Sequence, residues 1–290
     1  MRFSAIVLPD HSPAAFLHMV RDVEAAGVER VWTYDHLSWR HSRDKPWFAS
    51  MPLLAAAAAC TTRIRLGPLV ATPNFRHPVP LAKEIMTLDQ LAGGRVDLGI
   101  GAGTDGPDAT VLGQQKITRR QRADRFHDWV ELLVTLLEQE TVTDTSGAYA
   151  AVDARMIPGC HQQPRTPLTI AAAGPRGMAL AARLAHTWVT YGHPRHPAED
   201  GHDLWLHGLR KQSRTMDDVT AETGRPRPRA AAVIGLTNVV PFESAQRFDD
   251  TLGKLADAGF DDIYAHWPRP DGTGMPLDLV HRLLDRRISA

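Results

Sequence analysis

The sequence predicts a (βα)8 barrel, and three observations favour this fold class. Strand-like and helix-like segments alternate along the whole chain, which gives eight strand candidates with helices between them. The strand candidates are short apolar runs, as is typical of parallel strands that are buried on both faces. No linker or shift in composition divides the 290 residues. We therefore expect one barrel domain over residues 1–290, with a doubly wound open sheet as the structural alternative.

The first half of the chain contains four of the strand candidates. Ser12 and Pro13 form a good helix start after the first strand, and Gly27 ends that helix. Pro80 opens the third helix, whose apolar face ends at a Gly-Gly pair. The four strand candidates are Phe3–Leu8, Arg30–Tyr34, Ile64–Val70 and Val96–Ile100.

The second half of the chain adds a long connection and four more strand candidates. Arg119–Glu140 has the periodicity of an amphipathic helix, whereas Thr141–Pro167 has no helical period. We therefore predict a hairpin-like excursion between strands 4 and 5. The later strand candidates are Leu168–Ala172, Thr187–Tyr191, Ala231–Asn238 and Asp262–His266.

Composition and charge exclude several classes of protein. The 33 basic and 33 acidic residues balance, so nucleic acid is not an expected partner. The longest near-apolar stretch, Met51–Cys60, is too short to span a bilayer, and the N-terminus lacks the apolar core of a signal peptide. Cys60 and Cys160 form no CxxC pair, which excludes a disulfide framework and a cysteine-based zinc site. The cytoplasm is the expected location.

The ends of the predicted strands point away from hydrolytic chemistry. In a (βα)8 barrel the functional groups lie at the carboxyl ends of the strands. These ends are poor in paired carboxylates, which a glycosidase would need, and the chain has no HxH or HExxH pattern for a metal-dependent hydrolase. No GxSxG elbow or P-loop is present. We predict no metal site, and His36 after strand 2 is the best candidate acid–base.

Two glycine-containing segments follow strands 4 and 5. Gly101–Gly106 matches GxGxxG, but no helix begins at its third glycine, so a dinucleotide fingerprint is not favoured. Gly174 and Arg176, by contrast, lead straight into a helix, where free backbone amides and the helix dipole can hold a phosphate. A plain connection with a glycine turn is the alternative.

Several motifs together resemble the bacterial luciferase-like monooxygenase superfamily. The similarity is densest from strand 2 to strand 4 and extends over nearly the whole chain. The motifs are Asp35-His36, Arg63–Pro73 (RIRLGPLVATP), Arg76–Pro78 (RHP), Thr87–Asp89 (TLD), Gly94–Gly103 (GRVDLGIGAG) and Ala172–Arg176 (AAGPR). The resemblance implies a (βα)8 barrel that binds FMN or the 5-deazaflavin coenzyme F420. The Asp35-His36 pair with Trp39 nearby is most similar to the F420-dependent oxidoreductase branch.

The resemblance also implies roles for individual residues. His36 would lie over the reacting face, with Asp35 orienting it. The cofactor ring would lie at the end of strand 3, where a non-prolyl cis peptide bond is expected near Leu69-Val70. The remaining cofactor residues would contact the ring or ribityl chain (Thr72, Ala102 and Gly103) or the phosphate (Ala173, Gly174, Pro175 and Arg176).

The resemblance implies hydride transfer between F420 and a small organic substrate. Trp39, Thr104 and His193 are the predicted substrate residues. Some sugar-phosphate-oxidising members carry a glutamate where this chain has Thr104, which argues against a sugar phosphate substrate. The first alternative is an FMN-dependent monooxygenase supplied by a partner reductase, and a remoter one is a non-catalytic flavin-binding barrel. A homodimer is expected by analogy alone.

Overall fold

The computed structural model describes residues 1–39, 42–192, 201–235, 241–269 and 272–288. Its ten strands are β1 (Arg2–Ile6), β2 (Arg30–Thr33), β3 (Arg65–Pro68), β4 (Leu98–Gly101), β5 (Thr141–Asp144), β6 (Ala151–Arg155), β7 (Leu168–Ala171), β8 (Thr187–Thr190), β9 (Arg229–Val233) and β10 (Asp262–His266). Its eight helices are α1 (Pro13–Ala25), α2 (Ser50–Cys60), α3 (Pro78–Leu91), α4 (Arg119–Glu138), α5 (Pro175–Leu184), α6 (Gly201–Ala221), α7 (Ala245–Asp257) and α8 (Leu277–Ile288).

Eight of the strands form one sheet in the order β3-β2-β1-β10-β9-β8-β7-β4. The two end strands are joined as well, because the Leu66 amide donates to the Arg95 carbonyl and the Ala71 amide to the Gly99 carbonyl, at 2.9 and 2.8 Å. Parallel bridges pair Leu66 with Val96 and Ala71 with Ile100. The sheet is therefore a nearly closed (βα)8 barrel, and the predicted fold class is confirmed.

A glycine allows β3 and β4 to approach closely at this junction. A Cβ atom added to Gly99 would lie 2.2 Å from the carbonyl oxygen of Pro68, which is far inside van der Waals contact. Glycine has no Cβ, so the two backbones can come together only with glycine at this position. The Leu69–Val70 peptide bond that follows β3 is cis, as the family resemblance implied.

The chain divides into two compact units. Unit 1 comprises Met1–Val7, Asp22–Trp32 and Thr169–Ala290, and unit 2 comprises Leu8–Arg21 and Thr33–Leu168. Trp188 is fully buried in unit 1, with its ring centroid 5.7 Å from that of Phe260. In unit 2, the indole of Trp129 is fully buried and lies 6.2 Å from the ring of Phe126. The expectation of a single domain over residues 1–290 stays a prediction.

The excursion between β4 and β7 is an antiparallel hairpin, as predicted. Val142 in β5 pairs with Ala154 in β6. Lys83 of α3 connects the end of the hairpin to the rest of unit 2, because its ammonium group donates to the carbonyls of Arg155 and Ile157 at 2.7 and 2.9 Å. The two hairpin strands shift the numbering, so that predicted strands 5–8 are β7–β10.

Several predicted boundaries differ from those in the structure. Helix α3 begins at Pro78 rather than Pro80, because the His77 side chain caps it by accepting the Val79 amide at 3.3 Å. Most of the strands are shorter than the apolar runs that predicted them. The predicted end of strand 7, residues 236–238, lies outside the described residues. None of the described helices has both the length and the apolar character needed to cross a membrane.

Candidate active site

His36 follows β2 and is held by a carboxylate from a distant part of unit 2. Its Nδ1 atom lies 2.6 Å from Oδ2 of Asp108. The imidazole is 20% exposed, whereas the Asp108 side chain is only 6% exposed. The His36 imidazole is therefore anchored by Asp108 and still partly exposed to solvent.

Asp108 also fixes the backbone of the loop after β2. It lies in a single 3-10 turn, Pro107–Ala109, in the connection between β4 and α4. Its Oδ1 atom accepts the amides of Leu37 and Ser38 at 3.1 and 3.4 Å. One buried carboxylate thus contacts the imidazole through one oxygen and the loop backbone through the other.

Asp35, the neighbour of His36, belongs to a different network. Ser50 donates its hydroxyl to Oδ1 of Asp35 at 2.5 Å. Arg76 binds the same carboxylate through two bonds, from Nε at 2.9 Å and from a terminal nitrogen at 2.7 Å. The Asp35 carboxylate therefore binds Ser50 and Arg76, whereas the ring of His36 is held by Asp108. That Asp35 orients His36 stays a prediction. The Asp35 side chain is 2% exposed, whereas that of His36 is 20% exposed.

The charge on Arg76 is stabilised within this network. Burial lowers the pKa of Arg76, but the hydrogen bond and charge of Asp35 and the charge of Glu84 outweigh it, so the pKa is raised. Glu84 accepts a bond from Arg76 at 2.7 Å. Burial raises the pKa of Glu84, and the charge of Arg76 opposes that effect. Arg76 is therefore a permanent cation that neutralises Asp35.

The loops after β3 and β4 meet at Asn74. The side-chain nitrogen Nδ2 of Asn74 donates to the backbone carbonyl of Thr104 at 3.1 Å. Gly103 has a φ of +75°, and a Cβ there would lie 2.7 Å from the Asn74 side chain, so only glycine fits. The hydroxyl oxygen of Thr72 accepts a hydrogen bond from the backbone amide of Asn74 at 3.3 Å. Of the predicted ring residues, Thr72 and Leu69 are buried, whereas Val70, Ala102 and Gly103 are partly exposed. Thr104, a predicted substrate residue, is exposed.

Aromatic side chains surround His36. The ring centroid of Trp39 lies 4.5 Å from that of His36, and Tyr34 and Trp47 lie at 6.1 and 6.5 Å. The indoles of Trp39 and Trp47 are stacked 6.3 Å apart. The structure thus places Trp39, a predicted substrate residue, directly beside His36.

Two residues that contact the loop after β3 were not predicted from the sequence. Arg125 of α4 donates to Oδ1 of Asn74 at 2.5 Å, and burial lowers the pKa of its guanidinium. Tyr149, in the loop between β5 and β6, donates its hydroxyl to the carbonyl of Pro73 at 3.3 Å. The amphipathic pattern of α4 gave no sign of Arg125, because arginines are frequent along the exposed face of that helix.

The predicted phosphate residues lie in unit 1, at the start of α5. Gly174 is the N-cap of this helix and makes no side-chain capping bond, and Pro175 is the first helical residue. Gly174, Pro175 and Arg176 are exposed, whereas Ala173 is partly exposed. A Cβ added to Gly174 would meet no atom within 4 Å. The predicted substrate residue His193 lies outside the described residues.

The described residues contain no group of three or more His, Cys, Asp or Glu side chains that could hold a metal ion. The free thiols Cys60 and Cys160 form no disulfide.

Curated relatives of the chain include both dehydrogenases and a monooxygenase. The 4-hydroxyprotoasukamycin monooxygenase of Streptomyces nodosus subsp. asukaensis is 32% identical over 247 residues, which cover 81% of this chain and 63% of that protein. An F420-dependent glucose-6-phosphate dehydrogenase of Beutenbergia cavernae is 38% identical over 170 residues, covering 57% of this chain and 49% of the relative. The chain thus spans about half to three-fifths of the length of these relatives.

Solved structures share the fold at low sequence identity. An F420-dependent secondary alcohol dehydrogenase, solved with an F420-acetone adduct, superposes with a TM-score of 0.76 at 16% identity and covers 91% of this chain and 92% of that one. The monooxygenase RslO1 from Streptomyces bottropensis gives 0.73 at 19% identity, covering 98% and 97%. Residues 1–226 match the family described as luciferase-like monooxygenase. The chain therefore belongs to the luciferase-like monooxygenase family.

Proposed function

We propose that this chain is an oxidoreductase that transfers a hydride between coenzyme F420 and a small organic substrate. The observation that carries the proposal is the imidazole of His36, held by Asp108 at 2.6 Å and partly open to solvent. When a hydride is added to a carbonyl group, the oxygen gains negative charge and needs a proton, and the reverse reaction releases one. A histidine suits this exchange, because it gains and loses a proton near neutral pH.

The residues predicted to hold the cofactor have suitable chemistry. The first turn of α5 has no capping side chain, so its backbone amides and Arg176 can bind a phosphate group. Leu69, Val70, Thr72, Ala102 and Gly103 would hold the ring, with Asp35 bracing the loop beside them. A bound F420 or FMN supplies the hydride chemistry. The protein contributes position, exclusion of water and the proton at His36.

The substrate class follows from the residues around His36. Trp39 would form an apolar wall against the substrate, with Thr104 and His193 as further contacts. Several relatives of this chain are F420-dependent glucose-6-phosphate dehydrogenases. By the family resemblance, the exposed Thr104 stands where some sugar-phosphate-oxidising members carry a glutamate, so we infer a small organic substrate other than a sugar phosphate.

A second candidate function is that of an FMN-dependent two-component monooxygenase. It is favoured by the 4-hydroxyprotoasukamycin monooxygenase, which matches this chain over 247 residues, a longer stretch than the 170 residues of the dehydrogenase. In this case a partner reductase would deliver reduced FMN, and oxygen would be the second substrate. A remoter candidate is a barrel that binds a flavin without turning it over.

Cofactor titration separates these candidates. Purified protein would be titrated with F420 and, separately, with FMN, and binding would be followed through cofactor fluorescence. We expect saturable binding of F420 and much weaker binding of FMN. Micromolar affinity for FMN with none for F420 would reject the F420 proposal in favour of the monooxygenase. Binding without turnover of any substrate by the reduced or oxidised cofactor would support the non-catalytic barrel.

Replacement of His36 tests the acid–base role. We expect His36→Ala to change the affinity for F420 by no more than a few-fold and to lower kcat by about 10²–10⁴-fold, which is the range for loss of a general acid–base. The exposed His127 of α4 offers a matched control, and His127→Ala should leave both quantities unchanged. Unchanged turnover in His36→Ala would exclude His36 as the acid–base.

A further inference from the structure

We propose that Asp108 is a positioning residue that fixes the tautomer of His36, so that Nδ1 keeps its proton and Nε2 is the atom that exchanges a proton with the substrate. This inference rests on the proposed function for the role of Nε2. The tautomer itself follows from the geometry of unit 2. The family resemblance implied Asp35 as the orienting residue, whereas the structure puts Asp108 in contact with the ring, 72 positions away along the chain.

The two oxygens of Asp108 have separate tasks. Oδ1 accepts the amides of Leu37 and Ser38, at 3.1 and 3.4 Å. Oδ2 lies 2.6 Å from Nδ1 of His36. An ionised carboxylate can only accept hydrogen bonds, and neutral imidazole carries one ring proton. That proton must then lie on Nδ1, which leaves the lone pair on Nε2 free to accept a proton from a ligand.

The neighbouring groups do not compete for this role. Asp35 is engaged by Arg76 and Ser50. Asp105, on the same loop as Asp108, is exposed and paired with Arg122. Trp39, at 4.5 Å between ring centroids, packs against the imidazole and contributes no carboxylate. Among the residues that the structure describes, Asp108 is therefore the carboxylate that contacts the His36 ring.

Replacement of Asp108 by asparagine gives a specific expectation. The backbone amides of Leu37 and Ser38 are fixed donors and need an acceptor, so the asparagine oxygen should remain with them. Its NH2 group would then face Nδ1 of His36, and two donors cannot share one hydrogen bond. The imidazole must accept at Nδ1 and move its proton to Nε2. Asp108→Asn should thus invert the tautomer while keeping the shape of the side chain.

The test is a ¹⁵N–¹H spectrum of the imidazole groups, recorded on the full chain without cofactor and at a pH where histidines are neutral. The signal of His36 would be assigned by its loss in His36→Gln. We expect a proton on Nδ1 in the wild type and on Nε2 in Asp108→Asn. Asp105→Asn, in the same loop, is the matched control and should leave the wild-type tautomer.

Activity provides the second reading. In Asp108→Asn we expect kcat to fall by about 10²-fold or more, because the wrong tautomer removes most of a general acid–base contribution, while KM changes by no more than a few-fold. A wild-type His36 with its proton on Nε2 would overturn the proposal, and this measurement needs no variant to fold. An unchanged tautomer in Asp108→Asn would overturn it too. Absence of turnover by the wild type with either cofactor would reject the proposed function, while the tautomer is still decided by the spectrum.

Discussion

Two buried aspartates of unit 2, Asp35 and Asp108, differ in the partner that each one holds. Asp35 faces the guanidinium of Arg76, which stays charged at any pH the protein meets. Asp108 faces the imidazole of His36, the proposed acid–base. The carboxylate side chains are similarly buried, at 2% and 6% exposure, so burial does not explain the difference between them.

The two partners give the two aspartates different expected roles, one in the stability of the fold and one in the proposed chemistry. A buried carboxylate paired with a permanent cation contributes to stability, and removal of the cation lowers the free energy of unfolding. A buried carboxylate that binds a histidine and two backbone amides holds the proposed acid–base in place. We therefore expect changes around Asp35 to affect the free energy of unfolding, and changes around Asp108 to affect turnover.

The largest effect on stability should come from Arg76→Met. Methionine replaces the unbranched aliphatic part of the arginine side chain but has no charge, so Asp35 is left buried without its cation. Breaking one side of a buried ion pair costs about 3–5 kcal/mol, and we expect a decrease of that size in the free energy of unfolding measured by urea titration. The matched control is Arg122→Met, whose partner Asp105 is 68% exposed, and its effect should stay below about 1 kcal/mol. Equal decreases in the free energy of unfolding in the two variants would show that the buried ion pair of Asp35 contributes no more than an exposed one.

A smaller effect is expected from Ser50→Ala. The Ser50 hydroxyl donates to Asp35 at 2.5 Å inside the protein, and a hydrogen bond to a charged group contributes about 1.5–3 kcal/mol. We expect a loss in that range by urea unfolding, with turnover unchanged. Ser146→Ala is the matched control, because the bond from Ser146 to Asp144 is exposed to solvent, and its loss should cost less than about 1 kcal/mol. A large loss of turnover in Ser50→Ala would mean that Asp35 takes part in the chemistry.

The smallest effect is expected from Glu84→Gln. Glu84 is 43% exposed and is the outer partner of Arg76, so at neutral pH the change should stay within about 1 kcal/mol. Burial raises the pKa of Glu84 above its ordinary value of 4.5, so the folded protein binds this proton more tightly than the unfolded chain. That stability is present below about pH 4.5 and is lost as the pH rises through the folded pKa.

Urea unfolding of both proteins over a pH series checks the sign of this effect. The wild type should lose stability relative to Glu84→Gln as the pH rises above 4.5, because glutamine has no proton to release. If the wild type instead gained stability relative to the variant over that range, the ion pair with Arg76 would outweigh the burial of Glu84.

The sequence predicted His36 but not its partner, for a physical reason. The type of residue and its place after a strand are local properties, and both are visible in the sequence. The contact with Asp108 depends on the course of two loops and on the 3-10 turn at Pro107–Ala109. Nothing in the spacing of 72 residues between the two side chains indicates it. Arg125 and Tyr149 escaped prediction for the same reason, since their contacts with Asn74 and Pro73 are tertiary.

The fold was easier to predict from the sequence than the site was. Eight apolar runs separated by helical segments predicted the barrel, because burial on both faces of a parallel strand leaves a local signal in the sequence. Boundaries were less accessible. His77 was not recognised as the cap of α3, because histidine seldom has this role, so the prediction placed the start at the next proline.

The Asp108 carboxylate also bears on how the loops of this barrel can be exchanged. The loops of a (βα)8 barrel are often treated as interchangeable modules on a constant scaffold. Here the loop after β2 has its backbone amides and its imidazole bound by a residue of the loop after β4. A graft that replaces only one of these loops would leave the other without its donors or its acceptor. The two loops are a single module, and any redesign of the site has to transfer them together.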